Sequence, residues 1–208
     1  MLPLDVVILF FTTSILLALA PGPDNLFVLA QSAQHGSRAG LVVTAGLCTG
    51  VIVHTAAVSF GVAAIFQSSI VAFTVLKYIG AAYLLYLAWM SFKAGGEAGS
   101  SSKVNRLSMG QLYRRGVIMN VTNPKVSIFF LAFLPQFVDP ANGPIIPQML
   151  ALGLIFIVSA VLIFGAISML AGTFGEILAK SEKASKVLNC LAGTVFATLA
   201  LKLVMSQR

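Results

Sequence analysis

The sequence predicts an all-α integral membrane protein with six transmembrane helices in two inverted three-helix repeats, the first and fourth helices broken at proline. Three observations predict it. Hydrophobic residues make up 58% of the chain and charged residues 9%, against about 25% charged in ordinary soluble domains, and mean hydropathy is +0.97. Six apolar stretches can be read, at 4–20 with a continuation to 33, 41–66, 70–92, 116–137, 145–171 and 187–204. Several reach the roughly 20 residues that cross a bilayer of about 30 Å. Finally, prolines interrupt two of the stretches at matching places, and Pro124 follows Pro23 by 101 residues in a chain of 208.

The first stretch carries Ala18-Leu19-Ala20, which has the form of a signal-peptide cleavage site. A basic n-region is missing and Asp5 stands in its place, so the segment reads as a retained span. The second stretch holds Gly46, Gly50 and His54 at spacings of four. They share one helical face, Gly46-x-x-x-Gly50 permits close approach of a neighbouring helix, and His54 turns inward. The third has Lys77, expected to snorkel to an interface, and Tyr86 and Trp89 as an aromatic belt. The fourth contains the second break, and the fifth is a long uncharged run. The last is the weakest, because Lys202 interrupts it and must snorkel.

Charge gives the orientation. Arg38, then Lys93, Lys103, Arg106, Arg114 and Arg115, then Lys180, Lys183 and Lys186 place nine basic residues in three alternate connections. The intervening connections near 67–69 and 139–147 have none. By the positive-inside rule the basic connections are cytoplasmic and both termini face outward, with Lys202 and Arg208 dissenting mildly. The net charge of +7 is thus a topology signal rather than a nucleic-acid footprint. Three spans per half force the halves to run in opposite directions. The chain reads as a single membrane transport domain, with repeat one at about 1–93, a Gly/Ser-rich cytoplasmic linker at about 94–112 and repeat two at about 113–208.

The breaks carry the chemistry. Proline has no N–H, so Pro21, Pro23 and Pro124 leave the carbonyls of Leu17, Leu19 and Asn120 without helical partners. In hydrocarbon such groups persist only where protein or a water-filled cavity satisfies them. Counting 1.5 Å per residue from the cytoplasmic ends puts both breaks about 13 to 18 Å deep, near the midplane. Gly22 and Asn123 suit N-caps, with Pro23 and Pro124 at the first helical position. Two positive half-helix ends then face the centre. Together these features suit a zwitterion such as an amino acid. The half-helix N-termini and Lys125 would hold its carboxylate, while freed carbonyls, Asp24 and the amides of Asn25, Asn120 and Asn123 would hold its ammonium. Alternatively, Asp24 caps a helix and pairs with Lys125 structurally, and the pair opens when substrate arrives.

His54 can relay protons together with Asp24 or form a hydrogen bond between helices. Phe10, Phe11, Phe27, Phe129, Phe130 and Phe133 read as lipid contacts or packing, and Ser127 as an extension of the polar face or interface packing. Two histidines 19 residues apart do not make a metal site. No phosphate loop or nucleophile triad occurs, so neither cofactor nor enzymatic activity is expected. An electron or thiol carrier would need cysteines beside the breaks, and Cys48 and Cys190 are not there. A passive pore remains open as an alternative.

The segments Pro21-Gly22-Pro23-Asp24-Asn25-Leu26-Phe27-Val28, His35-Gly36-Ser37-Arg38-Ala39-Gly40, Gly80-Ala81-Ala82-Tyr83-Leu84, Asn120-Val121-Thr122-Asn123-Pro124-Lys125 and Phe133-Leu134-Pro135-Gln136-Phe137-Val138 resemble the LysE/RhtB amino-acid exporter family. The match runs from the first span to the last loop. It implies a bacterial inner-membrane, multi-pass exporter of amino acids or their derivatives, energised by the proton motive force, with protons and lipid as partners. Members differ in substrate among lysine, threonine, homoserine and its lactone, leucine and others. Substrate, stoichiometry and homo-oligomerisation therefore stay open.

Overall fold

The computed structural model describes residues 2–20, 22–68, 70–93, 107–179 and 182–205, and among them there is no β-strand. Pro21, Lys103, Arg106, Lys180 and Arg208 lie outside the described residues. The first apolar stretch forms α1 (Leu4–Leu19) and α2 (Pro23–His35), which meet at a bend of 62°. Gly36 ends α2 at φ 84°, a left-handed geometry open to glycine at little cost. The chain turns there at once into α3 (Ser37–Ser68), followed by α4 (Ile70–Lys93).

The second half opens with α5 (Met109–Thr122), capped reciprocally by Ser108 and Gln111. This capping box starts the helix before the apolar stretch begins, and residues 94–106 of the expected linker lie outside the described residues. A second bend, of 50°, separates α5 from α6 (Pro124–Ile128), which continues as a π-helical turn at Phe129–Phe133 and a 3-10 turn at Leu134–Phe137. Pro135 accounts for the rewinding: it cannot donate to the Leu131 carbonyl, so the ladder shifts register there. Two long helices, α7 (Ile145–Ala179) and α8 (Glu182–Met205), complete the chain.

Helix α3 outruns its apolar stretch at both ends and α7 at its C-terminal end. Hydropathy marks where lipid stops, whereas the hydrogen-bond ladder can continue into water. Within α3 and α7, Ser37–Gly61 and Ile145–Ala171 are long and apolar enough to cross a bilayer, as each bent pair is if it counts as one span. Large apolar side chains such as Phe60, Trp89 and Leu154 point outward, all more than 60% exposed. A soluble monomer does not tolerate such a surface over its whole girth. The hydroxyls of Thr13, Ser14, Thr44, Thr55 and Ser168 bond the carbonyl four residues back, so these polar groups sit satisfied inside apolar helices.

Packing relies on small residues and aromatic rings. A Cβ on Gly46 would strike the Tyr113 carbonyl and one on Gly116 the Val43 carbonyl, so α3 and α5 touch backbone to backbone. Phe10, Phe129, Phe130, Phe133, Phe137 and Phe156 form one buried cluster, with neighbouring rings 4.9 to 6.0 Å apart. Since lipid is as apolar as Phe, the gain here is dispersion and fit rather than escape from water. Lys202 does more than snorkel, because its ammonium lies 4.5 Å from the Phe137 ring centre. At the other end of that cluster's loop, Gln148 ties Asp139 and Gly143 together.

Candidate functional site

At the first break, Ala20 N–H still bonds the Leu16 carbonyl, and then the chain leaves α1. Gly22 caps α2 in an extended conformation and Pro23 starts it. The Asn25 amide reaches back seven residues to the Ala18 carbonyl at 2.6 Å. At the second break Asn123 caps α6, its Oδ1 accepting from Lys125 N–H at 3.0 Å, and Pro124 occupies the first turn. Asn123 N–H closes a tight turn onto the Asn120 carbonyl. Ser127 donates to the Asn123 carbonyl and so serves the cap rather than an extended polar face.

The two breaks meet. Asn123 Nδ2 donates to Asp24 Oδ2 at 2.9 Å, a contact between residues 99 apart in sequence. The Lys125 ammonium crosses to the end of α1, donating to the Ala20 carbonyl at 3.0 Å and, more weakly, to the Leu17 carbonyl at 3.4 Å. Asp24 is 2% exposed and Lys125 7%. The ammonium passes close to Gly22, where a Cβ would stand 3.1 Å from Nζ.

Among the described residues the expected direct Asp24–Lys125 pair is not made: Asn123 joins Asp24 to the Lys125 backbone N–H, while the Lys125 ammonium bonds elsewhere. Lys125 also takes a different partner than expected. It occupies the carbonyls freed by the first break, where the sequence reading put a substrate ammonium. The Leu17 and Asn120 carbonyls do leave the helical ladder, and each finds a partner from elsewhere in the fold.

Asp24, Asn120 and Lys125 border one small cavity, with Leu17, Leu47 and Phe156 also in its lining. Its volume is about 10 Å³, room for about one water. An amino acid does not fit in it. Asn25 and Asn123 do not line it. Asp24 Oδ1, Asn25 Oδ1 and Asn120 Oδ1 are buried without hydrogen-bond partners, which is costly unless another state supplies donors.

His54 is brought to the site's edge. Its Nε2 lies 3.1 Å from the Asn120 carbonyl and its ring stacks on Phe130. A carbonyl only accepts, so Nε2 is the donor in this contact. The glycine spacing explains the placement, because a Cβ on Gly50 would collide with the Asn120 side chain. Phe27 lies beneath the Arg115 guanidinium, 4.8 Å from its ring centre, and not at the cavity.

Gln31 was missed by sequence reasoning. It is fully buried, and neither Oε1 nor Nε2 has a partner. Its spacing of seven from Asp24, with His35 four residues further on, was the available signal for one polar stripe on α2. Replacing it by an apolar residue of like size, Gln31→Met, is expected to leave the protein equally or more stable, by about 1 to 3 kcal/mol, since unpartnered buried amides are costly. Thermal melts in detergent check this.

The family model of the LysE type translocator matches residues 15–207. The homoserine/homoserine lactone efflux proteins of Salmonella typhi and Salmonella typhimurium are each 34% identical over 187 residues, covering 90% of both chains. An uncharacterized membrane protein of Vibrio cholerae is 32% identical over 188 residues, again with 90% of both chains covered. No solved structure gives a significant match. With a family model spanning nearly the whole sequence and these relatives aligned over 90% of both chains, the chain belongs to the LysE type translocator family.

Proposed function

We propose that this protein exports amino acids or amino-acid derivatives across the bacterial inner membrane, coupled to the proton motive force. The observation that carries the reading is the meeting of both proline breaks, with Asp24, Asn123 and Lys125 joined in one buried polar site. The relatives' names add chemistry. Homoserine and its lactone share an α-ammonium group, whereas only homoserine has a free carboxylate. A site for both must therefore hold the ammonium first, and Asp24 with the α1 carbonyls offers the acceptors for it. The N-terminus of α2 would receive the carboxyl or lactone oxygen, and the unpartnered Asn25 Oδ1 is a further acceptor for the ammonium.

Six spans in two inverted repeats, forming one transport domain with both termini outside, complete the proposal. Its support is the matching of counterparts: α3 packs on α7, α4 on α8, and α1 meets α8 as the π-helical turn meets α4. Alternating access of these halves around a fixed site follows from that arrangement. Reporter fusions active in the cytoplasm at either terminus would refute the orientation. The tight packing around the site favours a carrier over a pore, and the passive reading fails if efflux runs uphill and stops when the proton gradient is collapsed. For the thiol-carrier alternative, neither Cys48 nor Cys190 borders the cavity. Cys48→Ala with Cys190→Ala is expected to retain efflux within about twofold, measured as free amino acid released by cells fed homoserine-containing dipeptides.

A further inference from the structure

We infer that Lys125 is a tethered stand-in for the substrate's ammonium group: it fills the carbonyl cradle of α1 when the carrier is empty and leaves when substrate binds. The inference rests on the export reading above and deepens it. The cradle is made by Ala20 and Leu17, whose carbonyls the first break frees at the negative end of the α1 dipole. Such a site selects a compact cation with several N–H donors. A lysine ammonium and a primary α-ammonium are chemically the same in that respect.

Exclusivity comes from space. The cavity between Asp24 and Lys125 holds about one water, so a substrate ammonium can reach the carbonyls only if Lys125 withdraws. Its four-carbon stem permits that. Asp24 Oδ1, buried and unpartnered while Oδ2 holds Asn123, is the acceptor that an arriving ammonium would gain.

The consequence is a division of labour in the cycle. An empty carrier with Asp24 and the bare carbonyls sealed in a dry interior would be held back by an uncompensated charge. Lys125 supplies the missing cation, so the empty carrier can return. Lys125 therefore contacts the cradle and never the substrate, and its loss should spare the loaded crossing while stopping the empty one.

The test uses the full chain in proteoliposomes with labelled homoserine. For Lys125→Met, net efflux into substrate-free buffer is expected to fall at least tenfold, while exchange of labelled for unlabelled homoserine stays within about threefold of wild type. Methylammonium added to both sides should restore part of the net efflux. Gly22→Ala keeps the lysine but crowds its ammonium, and the same split in weaker form is expected if Lys125→Met fails to fold. Equal loss of exchange and net efflux in a folded variant would overturn the inference, as would full net efflux in both variants. If the wild-type protein itself moves no homoserine and no other amino acid, the export reading fails instead.

Discussion

Asp24→Asn is expected to reduce efflux about a hundredfold while the protein still accumulates in the membrane. Asn keeps the shape and can still accept from Asn123 Nδ2, so the join between the breaks survives. What disappears is the charge. A hydrogen bond to a charged group contributes about 1.5 to 3 kcal/mol, and the upper figure corresponds to roughly a hundredfold. Removing this buried carboxylate relieves its own desolvation but leaves the buried Lys125 ammonium without a counter-charge, which costs about 3 to 5 kcal/mol. Melting in detergent should then fall by roughly 6 to 20 °C, at about 2 to 4 °C per kcal/mol in a chain of this size. Efflux from loaded vesicles and melting curves, measured on one preparation, check both halves.

The second large effect is structural. Gly46→Ala drives a methyl group into the Tyr113 carbonyl, a backbone atom that can yield only if α5 moves as a whole. Gly116 faces the same seam from the other side, so the helices cannot simply slide apart at one residue. Overpacking of this kind costs about 1 to 3 kcal/mol in cores where side chains yield, and more where they cannot. Little folded protein is expected. Gly165→Ala is the internal contrast, because nothing lies within 4 Å of a Cβ there. It should be neutral or stabilising by up to about 1 kcal/mol through helix propensity. Yields after purification and thermal melts separate the two; equal behaviour would mean that the glycine seam does not hold α3 against α5.

Both helix breaks were legible because proline's missing N–H and the caps Gly22 and Asn123 are local matters, decided within one turn. The face of Gly46, Gly50 and His54 was legible too, since helical spacing alone determines it. Less visible was the destination of Lys125. Local rules reveal which carbonyls of α1 are freed, but not which of several cations reaches them from 105 residues away. The role of Asn123 as a bridge was hidden for the same reason. Rewinding at Phe129–Phe133 had a cause in Pro135, yet whether a freed carbonyl yields a kink or a π-helical turn depends on the rings packed around it. Gln31 was overlooked because a lone amide in an amphipathic half-helix looks like surface until the neighbouring helices enclose it.

The central claim is that the two breaks build one site for an ammonium group. Calorimetric titration of the purified protein with homoserine, homoserine lactone and N-acetylhomoserine tests it most directly. The first two carry the ammonium and the third does not. Binding of homoserine and its lactone to the wild-type protein, with no detectable binding of N-acetylhomoserine and none of any ligand to Asp24→Asn, is the predicted result. Equal affinity for the acetylated compound, or undiminished binding to Asp24→Asn, would contradict it.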